Sequence, residues 1–403
     1  MKRIILFVAF VAFVISASAQ TMKVQSAYAD MKNKRLSEAK KNIDAACVHE
    51  STKNEAKTWH YAGLIYAKLV EVSQTDDKLY KKQKIDIPIP DLANTSKQAL
   101  EKSIEIERAA QTSEYVGANT NTLNYIVIYQ FDIALNTFNS RQYAESIPLF
   151  EEVVKGAALA RNKEVEMKAN FCIAMAYDAT QQTDKAVEMY RQLVKQNTKE
   201  EAVYINLFIA NKKVNELDKA INVLKIGVRN LPGNYRLIGL LSGAYVESGN
   251  KVEADKTIAT LKLIADTITE NKPSVLVIIG DVLRDGGNNE EAIAMYNQSL
   301  QLKPIQTEAN YGLGVLYFNT AVDLKENADK LPFDAAEEYD KLQKDSKANF
   351  SLAIPYFEKV LNIKPKDINT LNALKIIYSR LEMTDKYKEV NAVLESLRLQ
   401  QKQ

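Results

Sequence analysis

The chain is poor in the residues from which most active sites are made. Its 403 residues include two histidines, two cysteines and one tryptophan. Neither His49 nor His60 has a second imidazole four positions away or a cysteine pair beside it, so the spacings that hold zinc are missing. An excess of one charge is missing too: 53 lysines and arginines face 51 aspartates and glutamates, a net +2. That balance leaves no basic footprint for nucleic acid or for an anionic membrane surface. Glu151-Glu152 and Glu290-Glu291 are carboxylate pairs, but on amphipathic helices such pairs form the solvated face or complement the dipole of a first turn. Gly286-Gly287 follows no strand and precedes no Walker lysine, so it reads as a turn. The expectation is a protein with no enzymatic activity, no metal and no cofactor.

Long apolar runs are confined to the N-terminus. Lys2 and Arg3 lead into twelve apolar residues, Ile4 to Ile15, and Ala17-Ser18-Ala19 offers the small residues of a cleavage site before Gln20. A membrane-crossing helix needs roughly 20 apolar residues, so the run fits an export signal over 1–19 better than an uncleaved anchor. No cysteine follows the site to accept a lipid. The mature chain is expected in the periplasm or outside the cell, without an integral membrane span. Export would permit a disulfide, yet Cys47 and Cys172 fall three repeats apart, about 30 Å at one helix diameter per layer. A disulfide needs Cα atoms within about 7 Å, so both cysteines are expected as buried thiols.

What the sequence does contain is a period. Ala186, Ala220 and Ala254 stand 34 residues apart, each opening an apolar helical stretch. Such spacing marks a solenoid of stacked helix pairs. Ile173, Ala174 and Tyr177 make one helical stripe, and Ala186, Tyr190 and Leu193 the answering one. The next blocks repeat this with Leu207, Phe208, Ala220, Leu224 and Gly227, then with Ser242, Tyr245, Ala254, Ile258 and Leu261, then with Gly280, Leu283, Ala292, Tyr296 and Ser299.

This pattern resembles the tetratricopeptide repeat over nearly the whole mature length. Trp59, Ala62, Gly63 and Tyr66 give the fullest first-helix match, and Ala353, Phe357, Val360 and Pro365 the fullest second-helix match. The resemblance implies an all-α, right-handed superhelical solenoid of about nine helix pairs. The pairs begin near Gln20, Ala56, Val127, Met167, Glu201, Tyr235, Pro273, Thr307 and Ile368. Residues 20–110 would hold the first two pairs, 111–126 a polar connector, and 127–403 the remaining seven. Inserts at about 67–95 and 319–349 separate paired helices. The first, with Ile85-Asp86-Ile87-Pro88-Ile89-Pro90, is expected to be extended, and the second a helical hairpin broken at Pro332. Pro148 and Pro355 are expected in first turns, Pro355 behind a Ser351 N-cap.

The family meets its ligands from fixed positions on the concave first helices. Carried onto this chain, the fifth position includes His60, Phe131, Phe171, Ile205, Gly239 and Tyr311, and the ninth includes Leu135, Met175, Ile209, Gly243 and Asp281. The cations that clamp a C-terminal carboxylate in some members are missing from these positions. The candidate groove is therefore the apolar set Phe131, Leu135, Phe138, Phe171, Met175, Ile205 and Ile209, with His60 and Tyr311 beyond it. It would suit an apolar or amphipathic helix, unless the same residues are internal packing. The expected function is an exported scaffold or adaptor that binds a protein segment in the cell envelope. A carbohydrate-binding or nutrient-uptake accessory role is the alternative.

Overall fold

The computed structural model describes residues 21–400, and the expected export signal lies outside them. Every regular element among the described residues is helical. The chain divides into two compact units at Thr198 and Lys199. Unit 1 holds α1 (21–32), α2 (Leu36–Val48), α3 (Ala56–Thr75), α4 (Asp77–Lys82), α5 (Ile89–Ala109), α6 (Val116–Asn139), α7 (Tyr143–Leu159), α8 (Lys163–Ala179) and α9 (Thr183–Lys195). Unit 2 holds α10 (Glu201–Lys213), α11 (Leu217–Asn230), α12 (Tyr235–Glu247), α13 (Lys251–Thr267), α14 (Lys272–Asp285), α15 (Asn289–Leu302), α16 (Thr307–Asp329), α17 (Ala336–Ile363), α18 (Ile368–Arg380) and α19 (Thr384–Gln400).

Short turns of one recurring kind fold these helices into hairpins. Arg141, Gln181 and Asn215 adopt left-handed φ of 63°, 61° and 59° just past a helix. The next residue then sends its N–H back, as Gln142 does to Thr137 O, Gln182 to Tyr177 O and Glu216 to Asn211 O, which satisfies carbonyls that the helix end leaves open. Gly249 and Gly287 occupy the same place at φ 73° and 80°, so Gly286-Gly287 is indeed a turn. Asn234, Asn250 and Asp367 then cap the starts of α12, α13 and α18 by accepting from Leu237, Glu253 and Thr370 N–H.

Within a hairpin, a large side chain of one helix fills a gap left by a glycine on the other. Tyr296 of α15 is fully buried between Gly280 of α14 and Gly312 of α16. A methyl group at either glycine would come within 2.7 Å or 2.5 Å of its ring. Phe357 of α17 meets Gly314 of α16 in the same way, Tyr204 of α10 meets Gly227 of α11, and in unit 1 Leu100 of α5 meets Gly63 of α3. Burying each such side chain contributes roughly 2–3 kcal/mol, which the glycines make available by letting the backbones approach.

Three expectations need correction. The polar stretch 111–126 is not a connector: from Val116 onward it is the opening of α6. Its first turn is held by Glu107, whose carboxylate accepts the Tyr115 N–H at 2.9 and 3.1 Å, and by buried Asn119. The first insert is non-helical only over residues 83–88, where Gln83 and Lys84 turn the chain, because α3 runs on to Thr75 and Pro90 lies in the first turn of α5, where proline is tolerated. Nor does it stand free. Gln83 is buried and its Oε1 accepts the Leu36 and Ser37 N–H groups at 2.8 and 3.1 Å, capping α2 from outside its own sequence. Pro148 and Pro355 lie inside α7 and α17 instead of in first turns, and Ser351 bonds Lys347 O instead of capping.

The second insert is a hairpin made by continuing α16 and α17 past their neighbours, with Ser346 Oγ donating to Ala321 O at 2.7 Å. Cys172 is buried and Cys47 half-buried, and burial, with Asp44 nearby, pushes the Cys47 thiol up to about 12.

One ion pair of unit 1 makes its stability depend on acid. Lys97 of α5 is buried, 5% exposed, and its ammonium donates to Glu152 of α7 at 2.6 Å, while Lys155 donates to the other carboxylate oxygen at 2.7 Å. These bonds, from Lys155 first and Lys97 second, hold the Glu152 carboxyl down from 4.5 to about 2. A carboxyl depressed on folding stabilises the native state above its unfolded value, and that stability is lost as pH falls from about 4.5 towards 2. Glu152→Gln should remove this part of the acid dependence. At neutral pH it should cost about 1 kcal/mol in urea unfolding, because the ammonium is buried but its carboxylate partner is half exposed and screened by water. An unchanged acid limb in the variant would show that the pair is not the cause.

Candidate functional site

The first helices of unit 2 pack side by side, α10 beside α12, α12 beside α14, α14 beside α16. On α12 the residues Arg236, Gly239, Leu240, Gly243, Val246 and Glu247 recur at three- and four-residue steps and so share one face. Ile205, Phe208 and Lys212 do the same on α10, and Ile278, Asp281, Val282 and Asp285 on α14. These three stripes line a cleft of 760 Å³. Its depth has a simple cause in two glycines one turn apart. At Gly239 a methyl group would lie 2.3 Å from Ile278, so there the neighbouring helix fills the space. At Gly243 nothing lies within 4 Å of the same position, and the space stays open.

Charge is arranged at the ends of the apolar floor. Lys212 pairs with Glu247 and lies 5.8 Å above the Phe208 ring, and Arg236 reaches Glu201 at 3.7 Å. At the far side Arg284 serves two carboxylates, donating to Asp281 at 3.0 Å and to Asp285 at 2.9 and 3.0 Å. Tyr296, the buried ring of the α15 interlock, donates its hydroxyl to Asp281 at 2.7 Å and accepts from Arg284 at 3.2 Å. The cleft wall is thereby tied to the core. Desolvation pushes the Asp281 carboxyl up, against the pull of these two partners. Asp281 and Asp285 also border a second cleft of 490 Å³ with Glu308, Tyr311, Lys364 and Asp367.

The predicted site residues fall in three places. Ile205 lines the larger cleft and Tyr311 the smaller one, while Ile209 stands 43% exposed on α10 outside both linings. Phe131, Leu135, Phe138 and Met175 are half-buried against the core of unit 1, with Phe131 5.6 Å from Phe150 and Phe138 edge-on to Tyr143 at 5.0 Å. Phe171, also half-buried, faces Tyr190 at 6.3 Å. His60 is not a groove residue. It is buried, bonds Asn119 Oδ1 at 2.6 Å and stacks on Tyr115 at 4.5 Å; desolvation lowers its pKa. Asn119 passes the network to Ser103 Oγ at 2.9 Å, and Ser103 to Ala56 O at 2.9 Å, so His60 joins α3, α5 and α6.

Sequence reasoning placed Gly239, Gly243 and Asp281 at ligand-facing positions but favoured the bulkier apolar residues. The signal for the cleft was the pair of glycines inside one short helix, where no turn requires them. An interior glycine costs a helix about 1 kcal/mol relative to alanine, and at Gly243 no close packing offsets that cost. Gly243→Ala should therefore stabilise the chain by roughly 0.5–1 kcal/mol in urea unfolding. A loss of stability would mean that the position packs against something the open cleft does not show.

Comparison with known proteins matches a tetratricopeptide repeat model to residues 170–199 and a TPR repeat model to residues 280–320. No curated protein sequence matches the chain. Similar solved structures include a putative kinesin light chain of Podosopora anserina with nearly identical TPR-like repeats, 20% identical over 44% of this chain and 94% of that one, TM-score 0.36. A TPR repeats protein from Bacteroides fragilis is 18% identical over 63% of this chain and 98% of its own, TM-score 0.26. YrrB, described as a TPR protein with an unusual peptide-binding site, is 12% identical over 45% and 88%, TM-score 0.33. Residues 170–199 and 280–320 are thus tetratricopeptide repeats, and helix hairpins continue on either side of them.

Proposed function

We propose that the chain is an exported, non-enzymatic adaptor that seats a segment of another protein in the larger cleft of unit 2. Its repeats suggest a scaffold for protein–protein interaction, and such scaffolds are typically non-catalytic. The observation that carries the reading is the open floor at Gly243: an apolar, pre-formed cleft kept at the expense of helix stability. The leader-like residues 1–19 motivate a place in the periplasm or cell envelope. No helix among the described residues is long and apolar enough to cross a membrane.

The test is capture from an envelope fraction with the wild type and two variants. Gly243→Trp fills the cleft, whereas Val252→Trp adds the same bulk at a position 65% exposed on α13. The reading expects a partner held by the wild type and by Val252→Trp but lost with Gly243→Trp, and an exported form of this chain whose N-terminal sequence starts at Gln20. Partners retained equally by all three proteins would overturn the cleft, and Met1 retained in membranes would overturn export.

A further inference from the structure

We propose that the segment seated in this cleft carries a bulky apolar side chain and, about six residues along an extended chain, a lysine or arginine. The inference rests on the reading of the cleft given above and adds the chemistry of what fills it. The apolar end is set by Leu240, Ala244, Ile278 and Val282 around the open space at Gly243, which accepts a side chain. Charges at that end already neutralise one another, Lys212 with Glu247 and Arg236 with Glu201.

The smaller cleft is different. Arg284 is the single cation for both Asp281 and Asp285, and Lys364 stands 4.0 Å from Glu308. Asp367 accepts the Thr370 N–H as a helix cap and forms no ion pair among the described residues. Negative charge is thus in excess where the cleft is walled by Tyr311 and Val360. A carboxylate arriving there would meet four others against two cations, and a cation would be held by that excess.

The spacing follows from the helices. The larger cleft centres on α12 and the smaller on α16, and α14 between them lends Asp281 and Asp285 to both, so the two centres lie about 20 Å apart at the ~10 Å spacing of packed helices. An extended chain covers that in about six residues at ~3.3 Å each. The arrangement disfavours an acidic segment and a free C-terminal carboxylate alike.

A random dodecapeptide library displayed on phage and panned against the full chain tests this, followed by amidated synthetic peptides of the enriched sequences. The expected sequences pair a large apolar residue with Lys or Arg five to seven positions away. Replacing that Lys or Arg by Glu should weaken binding on the order of tenfold, and so should Asp285→Lys or Glu308→Lys in the protein. Gly243→Trp should abolish binding. Each variant's thermal melt reports whether it remains folded, and the peptide substitutions need no protein variant at all. Enriched sequences that are neutral or acidic, yet lost with Gly243→Trp, would leave the cleft standing and overturn the inference. Binding that survives Gly243→Trp, or a library without binders, would overturn both.

Discussion

The close approach of neighbouring helices, made possible by glycine and filled by a large side chain, is the contact from which the rest of unit 2 follows. Tyr296 lies in the space left by Gly280 and Gly312, and Phe357 in that left by Gly314. Remove the glycines and the rings have nowhere to go; remove the rings and the helices enclose voids, each costing a few kcal/mol. Because each contact ties a helix only to its neighbours, the stack is stabilised locally and can be lengthened without a new core. The extended α16–α17 hairpin shows this freedom, since both helices run past the repeat with only Ala321, Ala328, Ser346 and Phe350 buried along the added length.

The cleft is the same device left unfilled. On α12, Gly239 admits Ile278, and one turn later Gly243 admits nothing. The Tyr296 hydroxyl, meanwhile, leaves the core to hold Asp281 on the cleft wall, and Arg284 joins both to Asp285. A core ring thus fixes the position of a charge that faces the cleft.

Periodic features were legible in the sequence and singular ones were not. The starts assigned at Ala56, Glu201, Tyr235, Thr307 and Ile368 are the first residues of α3, α10, α12, α16 and α18, because each begins an apolar stripe at helical spacing. Where the register lapsed, at 111–126, the polar residues proved to be helix-forming contacts: Asn119 looks like a turn residue until His60 and Ser103 are brought to it from α3 and α5. Gln83, capping a helix 47 residues earlier in the chain, is invisible for the same reason. The cleft was half legible. Register named Gly243 and Asp281, but hydrophobicity drew the emphasis to Phe131 and Phe138, which the structure packs against the core of unit 1. A large apolar residue at a ligand position can always be claimed by the core, whereas a mid-helix glycine with open space beside it cannot.

Hydrogen exchange of the full chain, free and with its captured partner, tests the central claim most directly. The account predicts slowed exchange concentrated in α10, α12 and α14, the helices that line the cleft, with little change across α6 to α8. Protection confined to α6 to α8, or to the insert around Gln83, with the cleft helices unchanged, would contradict it.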